Sequence, residues 1–214
     1  MQNTKQEAYV FDLDGTLVDS MPYFTSAMLS IPDEAGMTYG NDLIKILTPL
    51  GYTKSAEYYV NVMGIRDSVE HIVERIREKL VYEYSNNIVL KAGVGEYLRR
   101  LHATGARLFV LTASPHIVTD VCLQKNGVYD LFETVWSVED FGLSKSDTRI
   151  FFEVANRIGC EMCDVHYFDD SLIALENAGK AGYNTYGVYD SHTEDEIARM
   201  KTLARHYVPT FEVL

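Results

Sequence analysis

Apolar and polar positions change their rhythm along the chain, and each rhythm predicts a different kind of element. Ala8-Tyr9-Val10-Phe11 is a short, nearly unbroken apolar run, the pattern of a strand buried on both faces. From Val18 to roughly Lys91 the spacing turns helical. Asp42 to Leu47 and Ala56 to Met63 predict short amphipathic helices separated by Pro49 and Gly51, and Ser68 to Leu80 gathers Val69, Ile72, Val73, Ile76 and Leu80 on one face. From Gly93 onward helix and strand alternate. A helix over 95–104 is closed by Gly105, and a strand follows over 107–111. The next helix spans 116–125 before Asn126-Gly127, and a strand lies around 134–136. Beyond a loop through Gly142 and Lys145 come a helix over 147–158, a strand over 165–168, a helix over 172–180, a strand over 185–189 and a helix from 193 to about 204.

Repeated strand and helix units with apolar strands imply an α/β fold, a Rossmann-like parallel sheet with helices on both faces. The helical stretch after the first strand reads as a small all-helical insertion. The expected division is a core of residues 1–17 and 92–214 and an inserted domain of residues 18–91. Ligands of such sheets bind at the carboxyl ends of strands.

Composition narrows the partners. At 214 residues the chain is long enough for one sizeable core carrying an insertion, and 47% apolar residues is ordinary for a globular protein. A net charge of −12 argues against a nucleic-acid binder, which needs clustered Lys and Arg, but leaves small anionic substrates open because a few local cations can override the overall field. No apolar run approaches a membrane span, and the polar start Met1-Gln2-Asn3-Thr4-Lys5-Gln6-Glu7 lacks a signal-peptide pattern, so no membrane association and a cytoplasmic location are expected. Three cysteines, an odd count, fit a reducing compartment. Cys160 and Cys163 with His166 could make half a zinc site, but no second pair with suitable spacing exists, and they read instead as small residues leading into a strand.

Candidate chemistry begins where the first strand ends. Asp12 and Asp14 sit directly before Gly15, and alternation sends both acids to the same side of the strand tip. Two like charges about 4 Å apart at an effective dielectric of about 20 repel by about 4 kcal/mol, so the pair calls for a cation or a reaction. A calcium loop fails on spacing, since an EF-hand needs a bidentate Glu where this chain has Tyr23.

The segment Phe-Asp-Leu-Asp-Gly-Thr-Leu-Val-Asp-Ser over residues 11–20 resembles the first motif of the haloacid dehalogenase superfamily of aspartate-nucleophile phosphotransferases. Three later segments resemble its remaining motifs, in order. Leu111-Thr112-Ala113-Ser114 closes a strand; taken alone, Thr112 reads more readily as a helix N-cap. Lys145, alone an ordinary surface lysine, precedes a predicted helix, with Ser146 where relatives often carry Pro. Tyr167-Phe168-Asp169-Asp170-Ser171 ends a strand in two acids, which could also merely cap the next helix; Ala174 stands where many relatives carry a further acid.

The resemblance implies a Mg²⁺-dependent phosphatase of a small phosphorylated metabolite, such as a sugar phosphate or phosphoglycolate. In that scheme Asp12 is the nucleophile and Asp14 the proton carrier. Thr112, Ala113, Ser114 and Lys145 hold the phosphate, and Asp12, Asp14 through its carbonyl, Asp170 and Asp169 bind the metal. An acid at position 14 favours phosphate monoesters over haloacids, whose halide leaving group needs no proton. The insertion resembles the helical cap of the phosphoglycolate phosphatase and β-phosphoglucomutase branch, with Thr48, Tyr52, Lys54 and Arg66 as candidates for reading the leaving group. A phosphomutase would share every core residue, and a binding or regulatory protein without catalysis is the alternative of another class. A monomer or weak homodimer is expected.

Overall fold

The computed structural model describes residues 7–47 and 50–214. The chain divides into two compact units, one formed by the chain up to Asp19 together with Val89–Leu214, the other by Ser20–Ile88.

The first unit is built on a six-stranded sheet. Its strands are β1 (Ala8–Phe11), β2 (Arg107–Thr112), β3 (Thr134–Ser137), β4 (Val165–Asp169), β5 (Asn184–Val188) and β6 (His206–Val208), in the order β3-β2-β1-β4-β5-β6. All neighbours pair in parallel, with Phe11 level with Val110 on one side and Phe168 on the other. This is the Rossmann-like order, and it reverses direction at β1 and β4. β1 and β4 are buried almost throughout, as central parallel strands must be when helices cover both faces.

On one face Val10, Leu111, Trp136 and Tyr167 pack with α7 (Arg149–Ile158), α8 (Leu172–Ala181) and Met200 of α9 (Ile197–Leu203). α7 shows why it forms there: Ile150, Phe151, Val154, Ala155 and Ile158 are its buried stripe, and Gly159 ends it in the left-handed conformation. On the other face the Phe168 ring stacks between Phe11 at 4.7 Å and Tyr186 at 4.3 Å, with Tyr97 of α5 (Val94–Ala103) against it. A further helix, α6 (His116–Lys125), follows β2.

The second unit holds α1 (Met21–Glu34), α2 (Leu43–Leu47), α3 (Gly51–Asn61) and α4 (Val69–Asn86). Ser68 caps α4 by accepting from the His71 amide, and Ile72, Ile76, Leu80 and Tyr84 recur every four residues on its buried face. Val69 and Val73, expected on that stripe, are half-buried beside it. α3 is tied to α1 by the Tyr59 hydroxyl, which donates to the Met28 carbonyl at 2.7 Å, and Lys79 of α4 reaches Ser30 and Glu34 of α1. No helix among the described residues is long and apolar enough to cross a membrane.

Three elements depart from the spacing. α1 contains Pro22 in its first turn, where a missing N–H costs nothing, and Pro32 near its end, and the prolines mask it as a helix. β6 is too short to show alternation. The last predicted helix splits, a 3₁₀ segment over Ser191–Glu196 preceding α9, because Thr193 leaves helical geometry.

Because Phe168 is fully buried between two rings, Phe168→Ala should lower unfolding stability by about 3–5 kcal/mol. Urea denaturation checks this, and a loss below about 1 kcal/mol would contradict the packing.

Candidate active site

β1 delivers Asp12 to the point where the sheet order reverses, its amide donating to the Phe168 carbonyl of β4 at 2.9 Å. The chain then folds into a tight turn. The Leu13 carbonyl accepts the Thr16, Leu17 and Val18 amides, and Gly15 adopts φ +76°, a conformation that favours glycine. A Cβ at position 15 would come 2.5 Å from the Asp170 Oδ2, so glycine also lets the turn lie directly against that carboxylate.

β4 brings two further acids to the same place. The Asp169 carboxylate is held by three protein donors: the Ser171 amide donates to Oδ1 at 2.7 Å, and Lys145 Nζ at 2.8 Å and the Tyr167 hydroxyl donate to Oδ2. Lys145 also pairs with Asp12 Oδ1. The half-buried Asp170 carboxylate receives no hydrogen bond from any described residue. Oxygen atoms of Asp12, Asp169 and Asp170 lie within 4.8 Å of one another.

The charges in this cluster strain against their surroundings. Burial pushes the Asp12 carboxyl up to about 7, Lys145 pulling it down while Asp169 and Asp14 push it further up. Asp170 is raised well above the ordinary carboxylate range, by burial first and then by Asp169, Asp12 and Asp190. Burial works against the Lys145 charge, yet Asp12 and Asp169 outweigh it and hold the ammonium above its usual value. One ammonium against three carboxylates leaves excess negative charge. A hard cation with oxygen ligands fits such a donor set, and Asp170, with no donor among the described residues, is the carboxylate with the most oxygen capacity left for it.

Asp14 faces different partners from Asp12, with its Oδ2 accepting from the Ser114 hydroxyl at 2.6 Å. Thr112, at the end of β2, is buried and its Oγ1 accepts the Ser114 amide at 3.0 Å, so the turn Thr112-Ala113-Ser114 is folded on itself just ahead of α6. The start of α6 is pinned in turn: His116 Nε2 lies 2.9 Å from Asp140 Oδ2, which also accepts the Ser137 amide in the 3₁₀ turn Val138–Phe141 leading towards Lys145. Asp12, Asp14, Thr112, Ser114, Lys145, Asp169 and Asp170 thus meet at the carboxyl ends of β1, β2 and β4.

The structure adds Tyr167 and the His116–Asp140 pair to the residues the motifs indicate. Tyr167 is a polar aromatic at a buried position of its strand, and its place two residues before Asp169 was the available signal. Of the insertion candidates, Thr48 lies outside the described residues. The half-buried Tyr52 ring lies 6.4 Å from Phe24, while Lys54 and Arg66 are exposed; Arg66 lines a cavity of about 530 Å³ with Glu34, Met37 and Arg75 in the helical unit.

Residues 9–188 match the family described as Haloacid dehalogenase-like hydrolase. Similar proteins include a phosphorylated carbohydrates phosphatase of Thermotoga maritima, 25% identical over 186 residues covering 86% of each chain. A phosphoglycolate phosphatase of Salmonella typhimurium is 27% identical over 209 residues, covering 88% of this chain and 82% of the relative. Among solved structures, CbbY from Rhodobacter sphaeroides in complex with phosphate superposes with a TM-score of 0.80 at 18% identity, over 96% of this chain and 95% of that one, a likeness of fold.

Hydrogen bonding to Asp140 raises the His116 value, with burial opposing and Asp120 adding to it. A group raised on folding stabilises fully below its unfolded value of about 6.5, and that contribution is lost as pH rises through the folded value. Between neutral and mildly alkaline pH the wild type should therefore lose stability relative to His116→Gln. Urea midpoints across that range check this, and parallel profiles for the two proteins would refute the linkage.

Proposed function

The chain belongs to the haloacid dehalogenase-like hydrolase family, and from that premise we propose that it is a Mg²⁺-dependent phosphatase of small phosphorylated metabolites, working through an aspartyl phosphate on Asp12. The observation that carries the reading is the Lys145 ammonium held between Asp12 and Asp169, beside an Asp170 carboxylate that receives no hydrogen bond from any described residue. Relatives named as phosphatases of phosphorylated carbohydrates and of phosphoglycolate support the substrate class.

Asp12, Asp170 and the Asp14 carbonyl would hold Mg²⁺, whose charge offsets the repulsion between an anionic nucleophile and a phosphate dianion. Asp169, held by three protein donors, would serve chiefly to fix Lys145. An Asp12 carboxylate oxygen attacks phosphorus as the bond to the leaving oxygen breaks, and Asp14 gives its proton to that oxygen. Asp14 then takes a proton from water, whose oxygen attacks phosphorus and releases Asp12. The Ser114 hydroxyl orients the Asp14 carboxylate for both transfers, and Lys145 with the Thr112 turn stabilises the charge on the phosphoryl oxygens. On this reading selectivity for the leaving group falls to the inserted helical unit.

With Mg²⁺ the protein should release phosphate continuously from p-nitrophenyl phosphate and from sugar phosphates, and chelation should stop it. Asp12→Asn should fall to background, and Asp14→Asn should lose about 10²- to 10⁴-fold in kcat. Near-normal turnover by Asp12→Asn would refute the nucleophile assignment. Isomerisation without phosphate release would instead indicate a mutase, and an inert wild type across a phosphoester panel would indicate a binding protein.

A further inference from the structure

Lys91 lies outside every motif, yet its ammonium sits in a fully built site. Nζ donates to the Gly15 carbonyl, to the Tyr189 carbonyl at 2.8 Å and to Asp190 Oδ2 at 2.7 Å. An ammonium has three donors, and three acceptors meet it here. The pair is well buried, Asp190 being 2% exposed and Lys91 17%. Asp190 is itself fixed, since its Oδ1 accepts the His192 amide at 2.9 Å. Tyr189 is held to β6 by its amide, which donates to the Val208 carbonyl at 2.9 Å. The backbone of Lys91 is anchored too, its amide donating to the Leu17 carbonyl at 2.9 Å while the Asp19 amide donates to the Val89 carbonyl. Two rigid attachments, the carboxyl end of β5 and the returning chain segment, therefore hold one cation against the one carbonyl of the Leu13–Val18 turn that it contacts.

That carbonyl belongs to Gly15, the residue whose Cα lies directly against the Asp170 carboxylate. We propose that Lys91 is a positioning residue for the metal-binding half of the site: by clamping the Gly15 peptide it fixes the turn that walls the Asp170 carboxylate and carries Asp14. The pairing also neutralises Asp190, a buried negative charge that bears on Asp170. An uncompensated charge at Asp190 and a loosened Gly15 would let Asp170 shift away from Asp12, and the two carboxylates would no longer present their oxygens together. The inference rests on Asp170 being a metal carboxylate, as in the phosphatase reading.

The test compares wild type with Lys91→Met, Lys91→Arg and Asp190→Asn. Amide hydrogen exchange over residues 13–19 reads the turn, and calorimetric titration with Mg²⁺ alone reads the site without turnover. Lys91→Met should speed exchange in the turn but not in β3 or α7, and should weaken Mg²⁺ binding about 10- to 100-fold, the usual loss when an outer partner of a metal ligand is removed. Lys91→Arg, which keeps the charge, should recover part of both. Unchanged exchange and unchanged Mg²⁺ affinity in Lys91→Met would overturn the proposal, even with a lower melting temperature. Should Lys91→Met not fold, Asp190→Asn decides in the same way, faster exchange in the turn supporting the clamp and unchanged exchange overturning it. An inert wild type that still binds Mg²⁺ would count against the phosphatase and leave the clamp standing.

Discussion

The site depends on one ammonium shared by two buried carboxylates. Lys145 joins Asp12, just past β1, to Asp169 on β4, two strands that are neighbours in space although 157 positions separate these acids in sequence. Without that cation the two acids would repel inside a poorly solvated site, and at least one would take up a proton. With it, the Asp12 carboxyl, raised by burial, is drawn back toward its anionic form. The remaining negative charge lies with Asp170, whose oxygens sit within 4.8 Å of those of Asp12 and Asp169 and with them offer the oxygen donors that suit a hard cation.

The fold explains why these groups meet. Parallel strands all release their chains at one edge of the sheet, and the order reverses between β1 and β4, leaving a crevice there. Asp12 and Asp169 follow Phe11 and Phe168, which are paired, so register alone brings these two acids level, and Thr112 ends β2 one residue further along. The later layers are held by ordinary hydrogen bonds: Tyr167 and the Ser171 amide fix Asp169, Ser114 fixes Asp14, and His116 with Asp140 fixes the loop that precedes Lys145. Each such partner removes a freedom that the reacting groups would otherwise have.

Much of this was legible in the sequence because it depends on local order. The apolar run Ala8 to Phe11 followed by Asp12 and Asp14 identifies a strand tip, and the succession Thr112, Lys145, Asp169-Asp170 gives isolated residues a meaning they lack alone. What was hidden depends on distance. Lys91 and Asp190 are separated by 99 positions and sit in connecting segments with no periodicity, so nothing local links them. The different surroundings of Asp169 and Asp170 could not be told from their adjacency. Consecutive residues at a strand end face opposite ways, and only the third dimension reveals that one is held by Lys145, Tyr167 and Ser171 while its neighbour is not. The specificity candidates carry no such signal, because an exposed Lys54 on α3 or Arg66 in the loop before α4 looks the same in sequence whether it meets solvent or a substrate.

The central claim is that Asp12 carries the phosphoryl group. Enzyme mixed with excess p-nitrophenyl phosphate and Mg²⁺, quenched during turnover and reduced with borohydride, should yield a peptide in which residue 12 has become homoserine, since an acyl phosphate is reduced to the alcohol while free carboxylates are not. Modification at Asp12 alone is the expected result. Turnover with no reduced aspartate, or with the reduction at Asp14 or Asp170, would contradict the account.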